Sequence, residues 1–294
     1  MSGSRAIDHL VLAVTDLVVA RARLNSLGFT VAPDARHPFG TENACVFLKD
    51  GTYLEPLSIG SEDDSLASAR AGNVFTARDR AFRFRHGPEG LEAVVFQTPD
   101  AEADHQAYEE AGFSAGRMLD FSRPFRTPDG AESVASFRLA FAADLRSPDF
   151  YAFTCQRINS PAADRAALMA HENGVTGLAG VTLCEPHPQD FTGFLGVVSL
   201  GGRPELIGDD LEMPAGDASL SVVTHSEFEA RFGRKYCGHA RGLRGRAVSF
   251  HVASHAETAT LLRRNGVVHE TIGTRLVVPE ASGQGVLYSF EEQA

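Results

Sequence analysis

An α+β fold assembled from four βαβββ modules is what this chain predicts, on three observations. A strand-then-helix phrase recurs, with a helix-capping residue at the same place in each strong copy: Asp16, Asp100 and Ser254. A glycine follows each cap at one fixed offset, at Gly28, Gly112 and Gly266. After each helix come short apolar runs parted by turn residues, the pattern of strands joined in hairpins.

The first copy is IDHLVLAVTDLVVARARLNSLGF, Ile7 to Phe29: a β-branched strand, an acid at the helix start and an amphipathic helix closed by Gly28. Its strands continue in TENACVFLKD and GTYLEPLSI. The second is LEAVVFQTPDAEADHQAYEEAGF, Leu91 to Phe113, followed by SVASFRLAFA and DFYAFTCQR. A weaker copy runs from Gly177 to Gly202, where a proline-bearing turn shifts the register. The last is RAVSFHVASHAETATLLRRNGV, Arg246 to Val267, with TRLVVPEA and GVLYSFEE after it. With the caps in register, Ala93 and Ala247 stand where His9 stands. The polar NSPAAD segment at 159–164 parts the pairs, giving an N-terminal half at 1–160 and a more degenerate C-terminal half at 161–294.

At 294 residues and 43% hydrophobic the chain has material for two cores. Its formal net charge of -11 argues against nucleic acid and anionic membranes, whose binding depends on clustered cations. The basic clusters at Arg78 to Arg85 and Arg231 to Arg246 are interleaved with apolar or acidic residues and read as solvated surface or an anion contact. Cys45, Cys155, Cys184 and Cys237 form no CxxC pair, so neither structural zinc nor a disulfide framework is expected. The start lacks a signal-peptide layout, and the expected location is the cytoplasm.

The repeat resembles the vicinal oxygen chelate superfamily, which includes glyoxalase I, extradiol dioxygenases, fosfomycin-resistance proteins and bleomycin-binding proteins. The closer resemblance is to glyoxalase-like proteins, carried by DHLVLAV at Asp8 to Val14, HP.GT.N at His37 to Asn43 and DG.YLE at Asp50 to Glu55, with shorter signs in FSRP, HENGV and FEARFG. It implies that the four βαβββ modules pair into two cupped mixed sheets, with a divalent metal (Zn, Fe, Mn, Ni or Co) in a cup.

On this resemblance His9 and Glu55 are the natural ligand pair, Glu55 also being the candidate catalytic carboxylate. The two-residue strand period puts His9, Val11 and Ala13 on one face, and Tyr53, Glu55 and Leu57 on one face. The positions that should supply a second pair appear as Ala93 and Phe153. His37, on the Pro38 to Gly40 bend, is the candidate third ligand or a substrate contact, with His171 a more distant candidate. A strand histidine bonded to Glu55 without metal is the other reading of His9. Candidate substrate-binding residues are Tyr53, Gln97, Tyr151 and Arg123, the last able, like Arg126, to clamp a carboxylate or phosphate.

GFSAG at Gly112 to Gly116 matches a hydrolase nucleophile elbow, but it follows a helix and precedes a strand, so Ser114 is expected to be structural. The extradiol iron positions appear as Ala179 or Thr182, Ala247 and Tyr288, so the second half is expected to lack that site. Three readings remain: a metal-dependent lyase or isomerase acting on a small oxygenated compound through enediolate-type chemistry, a metal-free protein that binds and sequesters a small molecule, or a degenerate scaffold used only for oligomerisation. No nucleic-acid or membrane partner is expected, and the superfamily admits a homodimer.

Overall fold

The computed structural model describes residues 4–126, 132–159, 166–235 and 241–293, with the backbone alone for 125, 126 and 132. The first module holds β1 (Ile7–Ala13), α1 (Leu17–Ser26), β2 (Ala35–Arg36), β3 (Thr41–Asn43), β4 (Val46–Phe47) and β5 (Tyr53–Ile59). Two helices, α2 (Glu62–Arg70) and α3 (Val74–His86), then lead to a second module of β6 (Gly90–Gln97), α4 (Ala101–Glu110), β7 (Leu119–Arg126), β8 (Glu132–Ala142) and β9 (Tyr151–Asn159). The third comprises β10 (Val175–Cys184), a 3-10 turn, α5 (Thr192–Val198), β11 (Glu205–Ile207), β12 (Asp210–Ala215) and β13 (Ala218–Val223). After α6 (His225–Phe232) comes the fourth, with β14 (Arg244–Val252), α7 (His255–Arg264), β15 (Glu270–Ile272), β16 (Arg275–Val278) and β17 (Leu287–Glu292).

The repeated caps act as their residue types require. Asp16 accepts from the Val18 and Val19 amides, Asp100 from Glu102 and Ala103, and Ser254 from Glu257. The shifted third copy has Phe191 at that place and no side-chain cap. Gly28 ends its helix with φ +83°, and its Cα lies so close to the other half that an added Cβ would stand 2.8 Å from Leu261 and 2.9 Å from the Asn173 backbone.

Each half forms one mixed sheet, in the orders β2-β3-β5-β1-β6-β9-β8-β7 and β11-β12-β13-β10-β14-β17-β16-β15, with β4 pairing β5 off the first path. In both sheets the first strands of two modules run antiparallel at the centre, each parallel to its own module's last strand. This is the paired-module architecture the repeats predict. One core joins the sheets: Leu10, Leu12, Val94 and Phe96 from the first pack with Leu178, Val181, Val248 and Phe250 from the second. Phe29 meets Phe250 at 5.2 Å between ring centroids, and the Asp50 carboxylate accepts from the Leu178 amide at 2.7 Å. The 159–164 linker lies almost wholly outside the described residues.

The helices between modules lie outside the βαβββ pattern, and they decide what each cup becomes. In the second half Phe228 and Phe232 of α6 fill the cup face against Cys184, Val223, Ala247, Val277 and Leu287. Tyr288 faces the opposite side, in the shared core, which corrects the alignment that set it among iron-ligand positions. In the first half α3 brings Val74 and Phe75 over the cup. Its arginines are mostly structural rather than free surface. Arg83 donates to the Val14, Leu57 and Pro88 carbonyls and pairs with Asp79 at 2.7 Å, so it ties the helix to the sheet rim. No helix among the described residues is long and apolar enough to cross a membrane.

Candidate metal centre

The site grows from the ladder at the centre of the first sheet. Parallel pairing of β1 with β5 sets His9 beside Tyr53 and Val11 beside Glu55. The β1–β6 register skips one residue between Ile7 and His9, so Asp8 is the extra residue of a bulge. Strict alternation would turn Asp8 away from His9; the bulge instead lets its Oδ1 meet His9 Nδ1 at 2.7 Å. Arg157 from β9 holds the other Asp8 oxygen at 2.8 Å. His9 Nε2 lies 3.3 Å from Glu55 Oε2, and Asn43 donates to Glu55 Oε1.

His37 arrives on the turn between β2 and β3. Its Nδ1 lies 2.9 Å from the Thr41 hydroxyl, its ring stacks on Phe39 at 4.9 Å, and its Nε2 is 3.6 Å from Glu55 Oε1. Gly40 makes the bend possible: at φ +89°, an added Cβ would stand 2.5 Å from the Ser65 amide. The stretch from His37 to Leu57 therefore places His37, Asn43 and Glu55 around one point, with His9 opposite.

Burial is the largest influence on all three ionisable groups. It opposes charge on His9, but hydrogen bonds to Asp8 and Glu55 and their negative charges outweigh it and raise the histidine's pKa. It opposes charge on Glu55 too, yet His9, His37 and Asn43 bring that carboxyl down to about 2. For His37 burial wins: against the attraction of Glu55, and with Arg123 adding repulsion, its pKa falls to about 4 and the ring is neutral at physiological pH.

The cavity is lined by His9, His37, Tyr53, Glu55, Arg123 and Cys155 together with the apolar wall of Phe39, Phe75, Phe121, Phe137, Leu139 and Phe153. Its free interior is about 40 Å³, room for an ion and a little water. Five of the sequence-derived residues thus meet in one place: His9, His37, Tyr53, Glu55 and Arg123. Tyr53 stacks on His9 at 4.4 Å. Two stand elsewhere. Gln97 is exposed at the far end of β6, and Tyr151, though buried, lies outside the lining, under Phe153 and close to Glu92. His171 is excluded as a ligand, because its nitrogens bond the Thr30 amide and the Phe47 carbonyl. The Arg126 side chain lies outside the described residues. Ser114 is structural as expected, bridging to Ala142 in the sheet.

Asp8, Arg157, Thr41 and Phe75 were not foreseen as site residues. The aspartate needs the bulge, the arginine comes from 149 residues away, and Phe75 depends on where α3 lands. A second bulge in the same ladder makes Glu92 the extra residue of β6, between the Val11–Ala93 and Leu12–Leu91 pairs. Glu92 is fully buried, with Tyr151 beside it but no hydrogen bond of good geometry to either oxygen among the described residues, and burial, with Asp79 adding repulsion, lifts its pKa well above the ordinary carboxyl value.

The donors fit a divalent ion in chemistry. The Asp8 carboxyl is ionised, so His9 donates to it through Nδ1–H, and its Nε2 lone pair then faces the Glu55 carboxylate. Two electron-rich groups 3.3 Å apart require a cation between or beside them; a proton on Nε2 meets the need when no ion is present. Neutral His37 offers a second nitrogen to the same carboxylate. No group of three or more His, Cys, Asp and Glu side chains among the described residues is already spaced as a finished cage. At the two matching positions the partner module offers no ligand, since Ala93 pairs with Tyr151 as His9 pairs with Tyr53, and Phe153 occupies the place matching Glu55.

Comparison with known proteins agrees with this architecture. A hypothetical protein from Staphylococcus aureus superposes with a TM-score of 0.68 at 11% identity, over 98% of this chain and 99% of its own. A mutant of 4-hydroxymandelate synthase from Streptomyces coelicolor gives 0.62 at 13% identity, over 99% and 93%. The Mn(II)-bound glyoxalase from Novosphingobium aromaticivorans gives 0.54 at 11% identity, over 99% and 83%. At such identities the likeness concerns the fold. No curated protein sequence matches the chain. The family model described as a glyoxalase-like domain matches residues 7–197, which span the whole cup and its ligand candidates, and the chain belongs to that glyoxalase-like family of the vicinal oxygen chelate superfamily.

Proposed function

We propose that the chain is a metal-dependent enzyme of the lyase or isomerase type that acts on a small oxygenated organic molecule in the N-terminal cup. One observation carries the reading: His9 and His37 each present Nε2 to the same buried carboxylate, Glu55, at 3.3 and 3.6 Å. Two imidazoles and a carboxylate suit Mn, Fe, Co, Ni or Zn. Bound there, such an ion would polarise paired substrate oxygens and stabilise the negative charge of an enediolate-like state.

The protein's own groups supply the rest. Asp8, anchored by Arg157, fixes the His9 ring and its tautomer. Asn43 holds one oxygen of Glu55 and leaves the other toward His9. Glu55 is the one carboxylate among the lining residues, so a proton taken from substrate passes to it or to a water it orients. The phenylalanine wall excludes bulk water, which strengthens these interactions.

The second reading, a metal-free binding protein, is favoured by Phe153, whose ring meets His9 edge to face at 5.7 Å between centroids, where a further ligand would be needed. Elemental analysis separates the two. Protein purified without a metal-affinity tag should carry near-stoichiometric transition metal that is lost in His9→Ala and Glu55→Gln. Wild-type protein that takes up no metal after reconstitution with Mn, Fe(II), Co, Ni and Zn would overturn the enzyme reading in favour of sequestration.

A further inference from the structure

We propose that the molecule taken by the N-terminal cup is a small organic anion with a flat apolar body, its negative group received by Arg123. This rests on reading the cup as a substrate site and adds the substrate's chemical class.

Charge balance carries the inference. Asp8 is matched by Arg157 at 2.8 Å. Glu55 faces His9 at 3.3 Å and His37 at 3.6 Å. Arg123 is left over: it lines the cavity, rests 6.0 Å over the Phe137 ring and makes no ion pair among the described residues. Among the described residues the cup therefore carries a guanidinium without a carboxylate partner, and a divalent ion would add to its positive charge. In a chain of net charge -11 this local reversal favours an anion on grounds of attraction and selectivity alike. A guanidinium is charged at every working pH, and its planar fork meets carboxylate or phosphate oxygens in pairs.

The body of the ligand follows from the remaining walls. Phe39, Phe75, Phe121, Phe137 and Phe153 face the cavity, and they suit a ring or another flat apolar group. A polyol would leave its hydroxyls unpaired against these faces, at a cost. Arg123 and Phe121 share β7 and Phe137 is on β8, so the charged and apolar contacts lie on adjoining strands.

The test uses phenylacetate, phenyl phosphate and the neutral phenylacetamide as probes, titrated calorimetrically into chelator-treated and metal-reconstituted protein. At least one anion should bind about tenfold or more tightly than the amide, 1.4 kcal/mol per factor of ten. Arg123→Gln should abolish that preference, and Arg123→Lys should keep part of it. The stronger of the two anions identifies the group as carboxylate or phosphate. Equal binding of amide and anions, a preference that survives in Arg123→Gln, or no binding by either anion would overturn the proposal. Metal content is measured on the same samples. Anion preference without metal uptake leaves this inference standing and sinks the metalloenzyme reading, while metal uptake without anion preference does the reverse.

Discussion

Asp8 and His9 are consecutive on one strand, yet their side chains meet at 2.7 Å, because Asp8 is the extra residue of a bulge opposite β6. The contact makes Nδ1 the donor and leaves Nε2 toward Glu55. Asp8→Asn keeps the shape but lets the His9 tautomer reverse and leaves Arg157 without its charge partner. Metal affinity should fall roughly 10- to 100-fold, measured by competition against a chromophoric chelator. Unchanged affinity would show that Asp8 does not orient the ligand.

Glu92 gives a pH dependence of unusual sign. Burial, with Asp79 adding repulsion, holds its folded pKa well above the ordinary carboxyl value of 4.5. Below the unfolded pKa both states are protonated and the associated stability is whole. As pH rises, the unfolded chain releases its proton while the native chain keeps it, and stability is lost toward the raised folded pKa. Glu92→Gln removes that loss, so its melting temperature relative to wild type should be more favourable at pH 8 than at pH 5. A difference that does not vary with pH would contradict the assignment.

Arg83 ties α3 to three backbone carbonyls and to Asp79, which is buried. Arg83→Met should destabilise by roughly 3–5 kcal/mol, the cost of leaving a buried charge partner alone. Proton uptake by Asp79, whose pKa is already raised by burial, pulls the value toward the lower end and makes it larger at high pH. Urea unfolding at pH 6 and pH 8 measures both effects.

Gly28 and Gly112 share the left-handed conformation, at φ +83° and +73°, but differ in surroundings. Gly112→Ala meets nothing within 4 Å and should cost only the backbone strain, about 1–2 kcal/mol. Gly28→Ala adds a collision with Leu261 and Asn173 across the shared core and should cost a further 1–3 kcal/mol or so. Equal urea midpoints for the two variants would show that the halves yield there.

The four modules were legible because their signals are local. A cap bonds amides two or three residues away, a closing glycine answers to its own φ, and strand periodicity needs only neighbours. His9 and Glu55 were legible as a pair through motif and period, and the unlike positions Ala93 and Phe153 by placing the caps in register. The tertiary structure decided the rest. Two bulges, which break the two-residue alternation, put Asp8 beside His9 and make Glu92 an extra buried carboxyl. The landing of α3 and α6 left one cup with a cavity and filled the other with Phe228 and Phe232. Gln97 shared a face with Ala93 by periodicity, yet the strand carries it out to solvent. Arg123 was legible as an anion clamp, but its lack of an ion-pair partner among the described residues shows only in space, because charge balance is a sum over groups as far apart in sequence as Asp8 and Arg157. Local chemistry writes the modules; pairing registers and helix placement, set by packing between distant segments, determine which acids, rings and cations face one another.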